Sequence, residues 1–428
     1  MSKLSFLTNF VSTRWTGKIK TREKLEKYQK KMLKKQEAFL NANSPFYKNV
    51  DFNDWENVPI TDKNVMMEHF NEMNTVNIDR DEALNMAIES EKTRDFSPAI
   101  GKISVGLSSG TSGHRGLFVV SDDERMQWAG TILAKLLPKG HIFGHRVAFF
   151  LRADNNLYET MNSPVLTFRF FDLLKPLEEH FEVLESFKPT ILVAPATVLK
   201  EIAKKQAEKP FIDPEKIISV AEVLTETDEK FIKEAFKKDI IHQVYQCTEG
   251  FLAFTCECGK MHFNEEAVFV EKEELGDNRF IPIITDFRRK SQPIIRYRLN
   301  DVLVESKEPC KCGNPSMVID KIEGREDDIF IFSKDGKPIK VFPDFISRCL
   351  VYVEDIKNYK VVQTSQDAIT IHIDEINDKT KEQTISEFKR LSEKYGFDMP
   401  RISFEKYEAV PGKKTKRVER AFAYNSEK

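Results

Sequence analysis

Short apolar runs alternate with charged amphipathic stretches through the middle of the chain. The runs, rich in Val, Ile and Phe, are RVAFFLR, FRFFDLL, TILVAPA, ISVAEVL and IIHQVYQ. Between them lie charged stretches with helical spacing, such as LEEHFEVLESFK, ATVLKEIAKKQ and DEKFIKEAFKK. Strands and helices that alternate at this spacing predict an α/β fold, in which a doubly wound parallel sheet is covered by helices on both faces.

Other patterns flank this central part. Residues 21–42 place Leu25, Tyr28, Met32 and Phe39 at helical spacing, which predicts an amphipathic surface helix. Residues 263–305 alternate between apolar and polar and indicate antiparallel strands added to the parallel sheet. After KIEGREDD the pattern changes again and predicts a small α+β domain. We therefore expect a large domain over 1–325 and a small mobile domain over 326–428.

Charge and hydropathy narrow the function classes. The 428 residues include 66 Lys and Arg against 68 Asp and Glu, a formal net charge of -2. A dedicated nucleic-acid binder would show a basic excess, so no nucleic-acid partner is expected. No run approaches the ~20 apolar residues that cross a bilayer, so no membrane span is expected. The start, MSKLSFLTNFVSTRW, holds no small-residue cleavage site, and we expect a cytoplasmic protein.

A glycine- and hydroxyl-rich stretch, GLSSGTSGHRG at 106–116, separates the apolar runs ISV and LFVV. Glycines let backbone amides face an anion, and the Ser and Thr hydroxyls add donors. The stretch is not a Walker loop, because no Gly-Lys-Ser/Thr ends it. Taken alone, it fits a mobile surface loop as well as a phosphate-binding loop.

Four later stretches favour the phosphate-binding interpretation. YQCTE, at the expected end of a strand, offers the Thr248 hydroxyl to phosphate and the Glu249 carboxylate to magnesium. TDFRRKSQPIIRYRLND ends in Asp301, which suits ribose hydroxyls. EGREDD supplies Arg325 beside two acids, and PGKKTKRVER carries a lysine cluster.

In this order and at these distances, the five stretches resemble the adenylate-forming superfamily of acyl- and aryl-CoA ligases. More narrowly, they look like the branch of phenylacetate-CoA ligases and CoF synthetases, and the early NSPFYKNV and WENVPITDK look like the start of that branch. The resemblance covers nearly the whole chain. It implies that a carboxylate attacks the α-phosphate of Mg-ATP, giving an acyl-adenylate and pyrophosphate, and that an acceptor then displaces AMP.

The resemblance also implies residue roles. Thr248 would contact the α-phosphate, Glu249 the Mg2+, and Asp301 the ribose hydroxyls, with Arg325 beside it. Asp327 would be the hinge of the small domain, and Lys414 the adenylation lysine, although Lys413 and Lys416 are close enough to confuse that assignment. The nucleotide site would also include these residues: Ser108, Ser109, Gly110, Thr111, Ser112, Gly113, Arg115 and Tyr245.

Two departures from the family pattern affect this assignment. The loop lacks the Pro-Lys that commonly follows its last glycines, so Arg115 is its nearest cation. The later turn has Gln246 after the tyrosine, where many relatives have glycine. With this second departure, the sequence resembles the CoF synthetases of the branch more closely.

Four of the six cysteines form two close pairs, C-E-C-G at 256–259 and C-K-C-G at 310–313. Four thiolates would make a closed tetrahedral zinc site of the structural kind. The expected ligands are Cys256, Cys258, Cys310 and Cys312, and His262 is an alternative fourth ligand. Buried thiols without metal are the other interpretation. Cys247 and Cys349 are assigned to no metal.

Together these observations predict an ATP-dependent ligase with Mg2+, and a structural Zn2+ as its second metal. It would activate an apolar or aryl carboxylic acid and transfer it to a thiol, either coenzyme A or an acyl carrier protein. One alternative is a CoF synthetase-like adenylyltransferase that moves AMP to a hydroxyl of a cofactor or metabolite. Another is a non-catalytic relative that binds nucleotide. The acid itself and the oligomeric state stay open.

Overall fold

The protein is described here from a computed structural model. The residues described are 2–17, 19–48, 50–93, 95, 97–108, 116–151, 166–351, 353, 355–356, 358–408 and 416–424. The chain divides into two compact units, each built from two segments. Unit 1 comprises residues 1–299 and 305–321, and unit 2 comprises residues 300–304 and 322–428.

The α-helices of unit 1 are α1 (Ser2–Val11), α2 (Arg22–Asn43), α3 (Lys63–Glu68), α4 (Phe70–Met73), α5 (Arg80–Thr93), α6 (Asp122–Leu136), α7 (Phe181–Phe187), α8 (Ala196–Glu208) and α9 (Glu226–Phe236). Its strands are β1 (Ala99–Ile100), β2 (Ile103–Leu107), β3 (Leu117–Ser121), β4 (His145–Leu151), β5 (Leu166–Asp172), β6 (Ile191–Ala194), β7 (Lys216–Ser219), β8 (His242–Cys247), β9 (Gly250–Thr255), β10 (Met261–Phe263), β11 (Val268–Gly276), β12 (Arg279–Asp286) and β13 (Tyr297–Arg298). Two later strands are β14 (Asp301–Glu305) and β15 (Val318–Arg325).

The five apolar runs form the predicted parallel sheet, in the order β5-β4-β6-β7-β8. Strand β9 then pairs antiparallel with β8, and β10 with β9. Strands β11 and β12 form the predicted antiparallel pair, and β1, β2 and β3 form a separate antiparallel sheet. The α/β fold with added β-structure is therefore confirmed.

Helices cover both faces of the parallel sheet, because successive side chains of a strand point to opposite faces. On β4, Phe150 packs in one buried cluster with Leu199 of α8 and Ile232 of α9. The neighbouring Val147 belongs to a second cluster, which includes Ile132 of α6. Burial on both faces explains why these strands appear in the sequence as nearly continuous apolar runs.

Unit 2 contains a hairpin of β16 (Phe330–Lys334) and β17 (Lys337–Val341) and a four-stranded sheet. That sheet has the order β20-β19-β18-β21, built from β18 (Tyr359–Ser365), β19 (Ala368–Ile373), β20 (Arg401–Lys406) and β21 (Val418–Arg420). Its helices are α10 (Pro343–Val351) and α11 (Asp378–Tyr395). Phe330, Val361, Ile371 and Phe388 share one buried cluster, so unit 2 has a core of its own.

Within the described ranges, no helix combines the length and apolar character needed to cross a bilayer.

Candidate functional site

Thr248 and Glu249 form a tight turn between β8 and β9. Cys247, the last residue of β8, pairs with Gly250, the first residue of β9, so only these two residues connect the strands. The turn follows the carboxyl end of a strand that is parallel to β7. Ligands of open α/β sheets bind beyond such strand ends. Tyr245, also expected at the nucleotide site, lies buried on β8.

Two contacts on the far side of the turn fix its backbone. A methyl group on Gly250 would lie 2.7 Å from Oδ2 of Asp286, so a side chain there would force the buried Asp286 carboxylate to shift. Nη1 of Arg289 donates to the carbonyl oxygen of Thr248 at 2.8 Å. Asp286 is itself held in place, because its Oδ1 accepts from the amide nitrogen of Arg288 at 2.7 Å. Burial raises the pKa of the Asp286 carboxyl.

Tyr297 orients the Glu249 carboxylate. Burial, the neighbouring charge of Glu249 and a hydrogen bond to its carboxylate raise the pKa of the Tyr297 phenol well above its usual value. The phenol therefore stays protonated at physiological pH and donates to Glu249. Tyr297 is itself only 4% exposed, so the orientation of its ring is set by the core.

The neck of the glycine-rich loop is closed by two hydrogen bonds. The amide of Ser108 donates to the carbonyl oxygen of Gly116 at 2.8 Å, and the amide of Gly116 donates to Oγ of Ser108 at 2.8 Å. Strands β2 and β3 pair antiparallel directly below this neck. The other predicted loop residues lie outside the described part of the chain: Ser109, Gly110, Thr111, Ser112, Gly113 and Arg115.

Lys63, the first residue of α3, lies against this neck. A methyl group on Gly116 would lie 3.4 Å from Cε of Lys63 and 3.5 Å from Oγ of Ser108. Asp62 caps the helix by accepting from the amide of Val65 at 2.9 Å, which fixes the direction in which α3 starts. One cleft joins the loop neck, α3 and the Thr-Glu turn. Its lining residues are Lys63, Met66, Ser108, Gly116, Leu117, Phe118, Thr248, Glu249, Arg289, Gln292, Ile294 and Tyr297.

Arg289 and Gln292 connect β3 to the Thr-Glu turn. Gln292 pairs with the edge of β3, since its Oε1 accepts from the amide of Val119 at 3.1 Å and its Nε2 donates to the carbonyl of Leu117 at 3.1 Å. Nη2 of Arg289 donates to the carbonyl of Val119 at 3.3 Å. Arg289 is 9% exposed, and its Nε has no hydrogen-bond partner among the described residues.

The remaining predicted residues lie in unit 2. Asp301 and Arg325 are adjacent, with 3.9 Å between Oδ1 and Nε. The Asn300 side chain donates to the Asp327 carboxylate. Lys416 forms a 2.5 Å ion pair with Asp328, whose pKa burial raises to about 6 despite that pair. Lys413 and Lys414 lie outside the described residues.

The cysteine pairs meet at the end of the β9–β10 hairpin. Cys256, His262, Cys310 and Cys312 place one ligand atom each within 4.8 Å of one another. The Sγ atoms of Cys256 and Cys310 are 3.6 Å apart, and Sγ of Cys312 is 3.3 Å from Nε2 of His262. Zinc ligands at ~2.0–2.3 Å in a tetrahedron are separated by roughly 3.3–3.8 Å, so the four residues fit a zinc ion.

Hydrogen bonds around this group suit metal ligation. Nδ1 of His262 lies 3.2 Å from the carbonyl oxygen of Ser316, which can only accept, so Nδ1 is protonated and Nε2 presents its lone pair. Burial lowers the pKa of His262, which keeps the ring neutral. The amide of Cys258 donates to Sγ of Cys256 and that of Asn314 to Sγ of Cys312, both at 3.4 Å.

The structure brings together three of the four expected cysteines with the alternative ligand, His262. Cys258 is not one of the four residues within 4.8 Å of one another, although a side-chain hydrogen bond links it to Cys310. Cys256 and Cys258 belong to one tight C-E-C-G turn. Gly259, at φ 80°, completes that turn.

Sequence reasoning missed four residues of the cleft that carry polar side chains: Lys63, Arg289, Gln292 and Tyr297. Each lies within a stretch that carries the family resemblance, either WENVPITDK or TDFRRKSQPIIRYRLND. The signal was therefore present, but nothing in a single sequence indicates which side chains of those stretches reach the cleft.

Comparisons with known proteins give partial sequence matches and one structural match over most of the chain. No family model matches the chain. It is 35% identical over 136 residues to indoleacetate–lysine synthetase of Pseudomonas savastanoi, which covers 30% of this chain and 33% of that protein. It is 27% identical over 221 residues to protein CapK of Staphylococcus aureus, covering 50% of this chain and 48% of that one. The chain thus spans between a third and a half of these curated relatives.

A solved structure matches almost the whole chain. It is that of 2-hydroxyisobutyryl-CoA ligase in the postadenylation state, in complex with 2-HIB-AMP. The TM-score is 0.67 at 14% sequence identity, over 93% of this chain and 90% of that one. At 14% identity, this structural match shows the fold alone. This chain therefore has the fold of the adenylate-forming ligases, and the resemblance of its motifs to that superfamily is confirmed at the level of the fold.

Proposed function

We propose that this protein is an ATP-dependent ligase that activates a carboxylic acid as its acyl-adenylate. The observation that carries the proposal is the cleft in which Thr248, Glu249 and Lys63 meet the neck of the glycine-rich loop. In the reaction, a carboxylate oxygen bonds to the α-phosphorus of ATP as the bond to pyrophosphate breaks. An acceptor then bonds to the acyl carbon, and AMP leaves.

The cleft residues suit this reaction because phosphoryl transfer depends on alignment and charge neutralisation. Thr248 offers a hydroxyl donor to the α-phosphate. Lys63 supplies an ammonium beside the loop neck. Its positive charge would replace that of the lysine in the Pro-Lys pair that this loop lacks. Arg289 adds the positive charge of a buried guanidinium beside the turn, where it holds the Thr248 carbonyl. Ser108 holds the loop neck in place.

Glu249 would hold Mg2+, since carboxylate oxygens are among the ligands that this ion prefers. A bound Mg2+ would neutralise phosphate charge. The hydrogen bond from Tyr297 fixes the orientation of the Glu249 carboxylate, which would otherwise rotate. Cys256, His262, Cys310 and Cys312 would hold a structural Zn2+, because four protein ligands leave no position for substrate.

The remaining proposed roles belong to residues of unit 2. We assign ribose binding to Asp301 with Arg325 beside it, the hinge to Asp327, and the adenylation role to Lys414. The ion pair of Lys416 with buried Asp328 supports Lys414 over Lys416 for that role. We place the reaction in the cytoplasm, since all six cysteines are free thiols, as is usual in a reducing compartment.

We propose an apolar or aryl acid as the substrate and a thiol, of coenzyme A or a carrier protein, as the acceptor. The matched structure is that of a CoA ligase, which supports the thiol. The name of the Pseudomonas savastanoi relative pairs an aryl acid with lysine, which supports the aryl acid and favours an amine as the second candidate acceptor. The resemblance to CoF synthetases keeps a hydroxyl acceptor as a third.

ATP–pyrophosphate exchange with pooled aliphatic and aryl acids tests the adenylation step. We expect exchange that depends on the acid, so that splitting the active pool identifies the substrate. Coenzyme A, lysine and other amines are then supplied, and the products are identified by mass spectrometry. ATP binding without exchange in any pool would contradict the ligase proposal. Release of pyrophosphate with AMP retained on a product would instead indicate an adenylyltransferase.

Replacing Tyr297 with phenylalanine removes the hydrogen bond to Glu249 and leaves the ring in the core. Hydrogen bonds to charged groups contribute about 1.5–3 kcal/mol, so we expect the exchange rate to fall about 10-fold or more. The Mg2+ concentration for half-maximal rate should rise, because the carboxylate loses its fixed orientation. Tyr28→Phe is the matched control, since Tyr28 donates only to the backbone carbonyl of Glu266. An unchanged Mg2+ requirement in Tyr297→Phe would exclude this positioning role.

A further inference from the structure

A buried carboxylate outside the cleft joins two of the segments that build it. Glu124 is the third residue of α6 and is only 7% exposed. Its Oε2 accepts from the amide nitrogen of Ser121 at 2.8 Å and from the Ser121 hydroxyl at 2.6 Å, while Oγ of Ser121 accepts from the amide of Glu124 at 3.3 Å. These bonds form a capping box at the start of α6, which the sequence S-D-D-E at 121–124 encodes.

The same carboxylate also holds a segment that begins 166 residues further along the chain. Oε1 of Glu124 accepts from the amide nitrogens of Lys290 at 2.5 Å and of Ser291 at 2.9 Å, and Oε2 accepts from the Ser291 hydroxyl. A capping box needs only the bonds to Ser121. The bonds to Lys290 and Ser291 are additional, and they fasten residues 290–291 to the start of α6.

The fastened residues lie between two residues of the cleft. Arg289 immediately precedes Lys290 and Gln292 immediately follows Ser291, and both line the cleft. Nη1 of Arg289 donates to the carbonyl oxygen of Thr248 at 2.8 Å, so the position of residues 290–291 determines how Arg289 meets the Thr-Glu turn. Glu124 itself is not one of the described residues that line the cleft, so any effect of it there acts through these neighbours.

Ser121 gives Glu124 a second connection to the cleft. Ser121 is the last residue of β3, and Gly116, at the neck of the glycine-rich loop, directly precedes that strand. Oε1 of Gln292 accepts from the amide of Val119, in the middle of the strand, at 3.1 Å. Glu124 therefore holds both sides of this contact, one at the end of β3 and the other through residue 291.

This arrangement requires the ionised form of Glu124. Burial alone would raise the pKa of its carboxyl group. Hydrogen bonds from Ser121 and Ser291 and the charge of Arg289 instead lower that pKa, so the group is ionised at physiological pH. An ionised carboxylate only accepts, and each of its oxygens here faces a backbone N–H, which cannot reverse its polarity. A glutamine of the same size would place its NH2 group against one of these donors, whichever way it turned.

We propose that Glu124 is a positioning residue of the nucleotide cleft, which sets the placement of Arg289 and Gln292 and thereby the affinity of the cleft for Mg-ATP. It contacts neither ATP nor metal. The inference rests on the proposed function for the identity of the ligand, whereas the contacts that hold the Thr-Glu turn exist in the free protein.

Glu124→Gln tests this role, because the substitution removes the charge and keeps the size of the side chain. We expect KM for Mg-ATP in ATP–pyrophosphate exchange to rise about 10-fold or more, as follows from the loss of a hydrogen bond to a charged group. A purely structural defect would instead lower the fraction of folded enzyme. It would reduce the maximal rate and leave KM for Mg-ATP at the wild-type value.

Amide hydrogen exchange of the free protein, followed by mass spectrometry, is a second measurement that needs neither ATP nor acid. Peptides that contain residues 247–250 and 288–292 should exchange faster in Glu124→Gln, since Arg289 would no longer hold the Thr248 carbonyl in place. Ser291→Ala removes one donor and keeps both backbone amides, so it should give a smaller change of the same kind. This milder variant carries the test if Glu124→Gln does not fold.

Asp228→Asn is the matched control. Asp228 is also the third residue of a helix, α9, is 3% exposed, and accepts from the hydroxyl of its capping residue Thr225 at 2.8 Å. Its helix covers the other face of the sheet, because Ile232 of α9 and Ile132 of α6 belong to different buried clusters. The variant should leave KM for Mg-ATP and the amide exchange of residues 247–250 unchanged.

Wild-type KM for Mg-ATP together with wild-type amide exchange at residues 247–250 in Glu124→Gln would overturn the positioning role and leave the adenylation proposal intact. An equal rise of KM in Asp228→Asn would overturn it as well. Faster amide exchange in Glu124→Gln, in a protein whose wild type shows no ATP–pyrophosphate exchange, would instead support the positioning role and contradict the proposed function.

Discussion

Glu249→Gln should lower acid-dependent ATP–pyrophosphate exchange by about 100- to 1,000-fold, the usual effect of removing one preorganised electrostatic contact. Glutamine keeps the size and shape of the side chain and removes its negative charge. It therefore spares the turn, which is fixed by Gly250 and Arg289, and removes the proposed Mg2+ ligand. Exchange should be measured at saturating acid and over a range of Mg2+ concentrations.

The control is Glu26→Gln, on the exposed side of α2, where the carboxylate pairs only with Arg22 at 3.0 Å. It should leave exchange within about twofold of the wild type, since exposed ion pairs contribute little. Thermal unfolding should be unchanged in Glu249→Gln. Exchange at the wild-type rate in Glu249→Gln would show that the metal is held elsewhere and would exclude Glu249 as its ligand.

Cys256→Ser should release the tightly bound zinc and destabilise unit 1. Cys256 is a buried member of the four-residue group, and serine is a poor ligand in its place. Loss of the metal leaves three unpaired ligands at the end of the β9–β10 hairpin. We expect the unfolding midpoint to fall by roughly 6–12 °C, which corresponds to about 3 kcal/mol at 2–4 °C per kcal/mol. Zinc retained after gel filtration and differential scanning calorimetry give the two measurements.

Cys258→Ser is a closely matched control, since the two cysteines belong to the same C-E-C-G turn. Cys258 contacts Cys310 but is not one of the four proposed ligands, so under the proposed set the variant should retain zinc and unfold near the wild-type temperature. Equal zinc loss in both variants would instead support all four cysteines as the zinc ligands. Full zinc retention in both variants would show that the zinc is bound elsewhere and that this group does not ligate it.

The central sheet could be predicted from sequence because its inner strands β4, β6 and β7 are buried on both faces. Burial of Val147 and Phe150 on opposite sides of β4 requires a continuous apolar run, which is visible without any structure. Helix α2 was equally visible, since one buried face over Arg22–Asn43 gives a clear helical spacing. Short elements such as α3 and α4 went unpredicted, because six and four residues hold too few turns to show a period.

The residues of the candidate site also differ in whether the sequence could predict them. Thr248 and Glu249 could be placed because they follow a recognisable strand end. Lys63 and Tyr297 could not, because their proximity to that turn depends on how α3 and β13 pack, and no local pattern encodes this. That His262 lies within 4.8 Å of three of the cysteines depends likewise on how two strands pair, which no local pattern encodes.

The close contact of Gly250 with Asp286 has a consequence for how this sequence can change over evolution. The two residues belong to different strands, yet the space that a side chain at 250 would need is filled by Oδ2 of Asp286. A larger residue at 250 requires either a shift of the buried Asp286 carboxylate or the replacement of Asp286 by a smaller residue. Divergent relatives should therefore substitute these two positions jointly, as a covarying pair.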